Sequence, residues 1–122
     1  MHAHLAIVVD GQPKVIPKGI GIGDLCLFWV HTHATSGIIH VEAPAPANFQ
    51  LGQFFDVWGH PLDGANLGPY PAGTGEHLFA FVNGQPWTAD PRTIPLENHA
   101  VIELQIGRNA IPPSPYQFPE GY

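Results

Sequence analysis

Eight histidines in 122 residues is roughly three times the usual frequency, and three of them fall in the stretch HTHATSGIIHVE, from His31 to Glu42. On a strand, side chains two apart share a face, so His31 and His33 project together. If Ala34 to Gly37 form a four-residue hairpin loop, residue 33 lies opposite 38 and residue 31 opposite 40, which brings His40 to the same face. Directly opposed side chains have Cβ atoms about 4.5 to 5.5 Å apart, close enough for three imidazoles to converge on one ion. Glu42 lies one step further along that face, placed as a fourth ligand, an acceptor for an imidazole N–H, or a general base. Trp29 shares the face. The competing reading, in which each histidine is a core or surface residue with its own hydrogen-bond partner, is disfavoured by the apolar strand around them, where an unpaired imidazole is costly. The convergence depends on register, because a loop one residue longer would turn His40 to the opposite face.

A second H-x-H pair, His2 and His4, stands at the start of the first apolar run and can add ligands or form a site of its own. A His-brace would need histidine as the first residue, and Met1 precedes His2. His60, His77 and His99 stand alone, and structure or solvent is the expectation for each. Imidazole without thiolate suits Cu(II), Zn, Fe or Ni. The expected cofactor is a transition metal ion, with copper preferred and zinc or iron as alternatives. Three function classes follow: a copper or iron oxidoreductase, a zinc hydratase or hydrolase with a three-His site, and a metal-binding protein without catalysis. The chain carries no G-x-S-x-G, no phosphate loop and no dinucleotide fingerprint, which argues against covalent hydrolases and nucleotide enzymes.

The elements that must hold these residues are short. Residues 3 to 9 (AHLAIVV) read as a strand that turns at Asp10-Gly11, with a return strand at Lys14 to Ile16 and a loop over Pro17 to Gly23. Residues 24 to 33 (DLCLFWVHTH) read as a central strand apolar on both faces, and Gly37 to Ala43 as its partner. Leu51 to Trp58 is the one expected helix: Leu51, Phe54, Phe55 and Trp58 fall at the 0, 3, 4, 7 spacing of a buried stripe, with Asn48 as cap and Gly59 as terminator. Residues 60 to 75 form a long loop, His77 to Val82 and Gln85 to Trp87 flank an Asn83-Gly84 hairpin, Ala100 to Ile106 is the last strand, and 111 to 122 is an extended Pro-rich tail. HLAIVVDGQP (His4 to Pro13) and HLFAFVNGQP (His77 to Pro86) agree at six of ten positions at a spacing of 73 residues. This echo points to two similar hairpins in a pseudo-symmetric fold. The expectation is one all-β domain over residues 1–122, a small barrel or sandwich of cupin-like or jelly-roll-like form with one short helix.

Composition bounds the rest. With 44% apolar and 11% charged residues the chain folds, and fourteen Gly and fourteen Pro leave no room for long helices. A formal charge of −6 repels a phosphate backbone, so nucleic acid is not expected as a partner. No apolar run reaches the roughly 18 to 20 residues that span a bilayer, and the N-terminus lacks the pattern of a secretion signal. Cys26 is the single cysteine and excludes an intrachain disulfide. The two-sided apolar strand, with little charge elsewhere, points to a homodimer.

At HAHLAIVVDGQ, IPKGIGI, WVHTHATSGIIHVEAP, LGQFFDVWG, FVNG and DPRTIPLENHAVI the sequence resembles a functionally uncharacterised family of small His-rich β proteins of bacteria and archaea, over nearly the whole chain. The resemblance implies an extracytoplasmic location, periplasmic or secreted, since relatives carry sequence upstream of the first H-x-H. Similarity to cupins is partial: they place Glu three or four residues after H-x-H, and here His40 intervenes before Glu42. The site is also similar to the three-His zinc site of α-type carbonic anhydrases, whose other motifs are missing.

Overall fold

The computed structural model describes residues 1–22, 29–42 and 48–122. The strands are β1 (His2–Val9), β2 (Gln12–Lys14), β3 (Val30–His31), β4 (Ile38–Val41), β5 (Asn66–Leu67), β6 (Tyr70–Pro71), β7 (His77–Val82), β8 (Gln85–Pro86) and β9 (Val101–Gly107). They are joined by helix α1 (Leu51–Trp58) and a 3-10 turn at Pro91–Thr93. The described residues are all-β with one α-helix, as the composition predicts. Much of the expected central strand, residues 24 to 28 with Cys26, lies outside the described residues, and so does most of the argument for a homodimer.

Among the described residues, seven strands form one mixed sheet in the order β3-β4-β1-β9-β7-β8, with β2 added on β1. The sheet is open and no barrel closes, so the sandwich alternative describes the fold. β1 carries β4 beside His2–His4 and β2 beside Ile7–Val9, both antiparallel, and pairs with β9 in parallel on its other side. Each face is then set by alternation. Leu5, Ile7, Ile39, Ile102, Leu104 and Ile106 point to one face and are buried with Leu51, Phe54 and Phe55 of α1 as the core. His2, His4, Ile38, His40, Glu103 and Gln105 point to the other, which residues 111–122 cross.

The helix has its predicted limits, but its cap does not. Gln50, not Asn48, precedes the first turn, and its N–H donates to Oε1 of Gln53 at 2.7 Å. Asn48 lies too far upstream, because Phe49 and Gln50 are already occupied with the segment at Ile94–Leu96: Leu96 N–H donates to Phe49 O and Gln50 bridges Pro95. Gly59 ends the helix in the left-handed region at φ 81°, returning its N–H to Phe55 O and Asp56 O.

Both hairpin turns are of the primed type, with positive φ at Asp10 and Gly11 (51° and 78°) and at Asn83 and Gly84 (50° and 81°). A two-residue turn makes the return strand begin at once, so β2 starts at Gln12 rather than Lys14. The two hairpins flank β9 in opposite senses, and the corresponding residues Ile7 and Ala80 both pair with Leu104. That is the register a local twofold through Leu104 requires. The expected loop at 60 to 75 instead holds the β5–β6 pair, organised by the Asp63 carboxylate, which accepts from the N–H groups of Ala65 and Asn66 at 2.8 Å each.

Candidate metal centre

The hairpin from Val30 to Val41 has the register on which convergence depends: Val30 pairs with Val41 and His31 with His40. Glu42 N–H donates to Trp29 O at 2.7 Å, which carries the pairing one step further and puts Trp29 across from Glu42. Gly37 enters β4 at φ 82°, where a Cβ would lie 2.5 Å from Leu5 O, so the backbone needs glycine there. Thr32 locks the other strand from behind: it is fully buried, its hydroxyl donates to Pro17 O at 2.8 Å, and its N–H donates to Ile20 O.

His31, His33, His40 and Glu42 are thereby gathered so that one ligand atom from each lies within 4.8 Å of all the others. Nε2 of His31 and Nε2 of His33 are 3.0 Å apart, and Glu42 Oε1 lies 3.5 Å from His31 Nε2 and 3.9 Å from His40 Nδ1. The rings of His31 and His40 stack at 5.5 Å and 6° between planes, and His33 stands edge-on to both, at 4.6 and 4.5 Å. His31 is fully buried at the base, His40 is half-buried, and His33 and Glu42 are exposed, so the group opens to water on one side. Such a set can hold a cation through three nitrogens and one oxygen with a direct solvent path to it.

Electrostatics keeps one ring of this group neutral and ready. Burial first, then the neighbouring His33, His2 and His31, push the His40 imidazole down to a pKa of about 4, against the opposing pull of Glu42. A ring held neutral at pH 7 binds a metal without first releasing a proton.

The second H-x-H pair divides. His2 pairs with His40 across β1 and β4 and sets its ring edge-on at 4.8 Å, beside the four-residue group rather than in it. Burial, the terminal amine and His99 lower its pKa, with Glu42 opposing. The Met1 amine donates to Val41 O at 3.3 Å. His4 faces the same side of the sheet but is drawn away from the cluster: Nε2–H donates to Ser36 O at 2.9 Å, its ring stacks on Tyr116 at 3.4 Å, and its Nδ1 is sealed with no partner. Burial lowers its pKa, against Ser36 O and Glu103. The solitary histidines stay apart from the cluster, with His60 edge-on to Trp58 and His77 near Phe79. Trp29 is half exposed at the rim, edge-on to Phe49.

Sequence reasoning alone did not single out Glu103 and Gln105, which are 4% and 2% exposed on the histidine face. Their signal was present in the alternation Ile102-Glu103-Leu104-Gln105-Ile106, which marks one polar face without telling what covers it. Comparison with protein-family models, with curated proteins and with solved structures finds no match to this chain.

Proposed function

We propose that this protein is a mononuclear transition-metal protein in which His31, His33, His40 and Glu42 hold the ion. The observation that carries the reading is the convergence of four ligand atoms within 4.8 Å from both strands of one hairpin. Copper is the preferred ion. Three imidazoles and a carboxylate, with no thiolate in the group, form a donor set suited to Cu(II). His31 and His33 meet Nε2 to Nε2 at hydrogen-bond distance, 3.0 Å, so the two rings already face one another before any ion binds.

With an exchangeable position on the open side, the site supports oxidoreductase chemistry. Glu42, displaced from the ion, would serve there as general base, and Trp29, which lies across from Glu42, would carry oxidising equivalents. An extracytoplasmic place of work follows from the family resemblance and would suit such a protein. A zinc hydratase or hydrolase is the second reading, favoured by the 54% exposure of the Glu42 side chain, which leaves the carboxylate free to leave the ion and accept a proton from water.

Elemental analysis of untagged protein, followed by calorimetry with Cu(II) and Zn(II), tests the proposal. Tight one-to-one binding of copper and oxygen uptake with ascorbate as electron donor are expected. Tight zinc binding with CO2 hydration or ester hydrolysis would select the second reading. Equally weak binding by the wild type and by His33→Ala would leave the histidines as structure.

A further inference from the structure

The tail from Ile111 to Tyr122 lies on the histidine face through a series of specific contacts. Gln105 holds Ile111 at two points, its Nε2 donating to Ile111 O at 2.9 Å and its Oε1 accepting Ile111 N–H at 3.0 Å. The same Nε2 donates to Glu103 Oε2 at 2.6 Å, and Glu103 Oε1 accepts Ser114 N–H at 3.1 Å. Ser114 is the one residue of Pro112–Pro115 that has an N–H, and that N–H is used here. Beyond it, Tyr116 stacks on His4, and Phe118 stacks on His99 at 4.3 Å and 11° between planes. His99 Nε2–H donates to Tyr122 O at 2.7 Å. The Tyr122 ring then meets His2 edge-on at 4.8 Å and lies 6.0 Å from His40.

Four prolines among these twelve residues restrict the free chain to extended forms, so docking it loses less conformational entropy than docking an ordinary tail. The segment is fixed by a buried carboxylate, a buried amide and four ring contacts to histidines.

We infer that residues 111–122 are a strap that delivers Tyr122 to the edge of the metal centre, where its ring, with His2, fixes the orientation of His40 and slows escape of the ion. Tyr122 is thus a positioning residue, and the inference rests on the metal-binding reading above. Groups that orient ligands in this way typically change metal affinity 10- to 100-fold when removed.

The test compares the full-length wild type, Tyr122→Ala, Tyr122→Phe and Ser114→Pro, each loaded with Cu(II). Ser114→Pro replaces the N–H that Glu103 holds with a ring carbon and alters none of the ring contacts to His2 and His40 directly. Release of copper to excess EDTA should be roughly tenfold faster in Tyr122→Ala and in Ser114→Pro, while Tyr122→Phe, which keeps the ring, should match the wild type. The copper electron paramagnetic resonance spectrum should change in the same two variants, which a mere loss of thermal stability would not produce. Wild-type release and spectrum in Tyr122→Ala would overturn the inference, and so would an effect of Tyr122→Ala that Ser114→Pro fails to share. If the wild type binds neither copper nor zinc, the metal reading fails, and the strap is judged on the metal-free protein by proton NMR of the His2 and His40 rings. Equal displacement of those signals in Tyr122→Ala and Ser114→Pro upholds the strap and the positioning of His40, and unchanged signals refute both.

Discussion

Two ends of one sheet face each gather a group of polar side chains, and they handle polarity in opposite ways. At one end His31, His33, His40 and Glu42 turn their nitrogens and a carboxylate oxygen toward one another. At the other, His4, Glu103 and Gln105 turn theirs to backbone groups at Ser36, Ile111 and Ser114 and bury themselves in doing so. Buried polar groups whose bonds are made to backbone stabilise a fold. The first end is different: its nitrogens and carboxylate answer one another, His31 and His33 sharing a hydrogen bond at 3.0 Å, through atoms that a metal ion can take over as ligands. The first end therefore reads as a site and the second as an anchor, although the residue types are nearly the same.

The sharpest way to break this contrast is a pair of substitutions. His33→Ala should cost at least about a hundredfold in Cu(II) affinity, since it removes one of three imidazoles, while leaving the melting temperature of the metal-free protein close to that of the wild type because the ring is exposed. His4→Ala should do the reverse. It loses the bond to Ser36 O and the stack on Tyr116, about 1–3 kcal/mol together, with copper affinity changed little. Calorimetry and thermal melts on the two variants read both quantities. The division fails if the two proteins show the same profile.

Gly37 couples the two ends. It enters the strand that carries His40, and a Cβ there would lie 2.5 Å from Leu5 O and 2.9 Å from His4 Nε2. Gly37→Ala should destabilise the protein by about 2–4 kcal/mol through backbone strain and overpacking, and it should weaken copper binding too. Chemical denaturation of the metal-free variant measures the first effect and calorimetry the second. A stability loss with full metal affinity would show that the hairpin register does not depend on this turn.

How much of this was legible in the sequence follows the range of the interactions. The opposition of His31 and His40 could be read because a four-residue loop closes it within ten positions, and α1 could be read because its apolar stripe is local. Asp-Gly and Asn-Gly mark their turns by the positive φ they accept. The parallel pairing of β1 with β9 could not be read: it joins His4 to Val101, and no local pattern encodes which strand lies beside which. For the same reason His4 was grouped with the ligands. Its spacing matches the other H-x-H pair, but Tyr116, which claims its ring, comes from the far end of the chain. The alternation at Glu103 and Gln105 marked a polar face, and only the tail crossing it made that face an interior.

The smallest expected effect, and the one that separates the two ends by proton uptake, is the response to acid. His2, His4 and His40 all have pKa values lowered from the ordinary 6.5, His40 to about 4. In the unfolded chain these imidazoles take up protons as pH falls through about 6.5, whereas the folded protein resists until lower pH. The unfolded state thus binds more protons within that window, so stability rises with pH there and is lost as pH falls from 6.5 toward 4. Above about pH 7.5 these groups contribute no pH dependence. Metal alters one end only: an ion on His40 takes the place of its proton and extends stability to lower pH until acid displaces it, while His4 titrates alike in loaded and metal-free protein. Denaturation midpoints measured from pH 7.5 to 4, with and without Cu(II), should diverge at the low end, and NMR titration of the metal-free protein should find His40 still neutral at pH 5. A His40 ring that protonates near 6.5 would mean that water reaches it freely and that the centre is not preorganised.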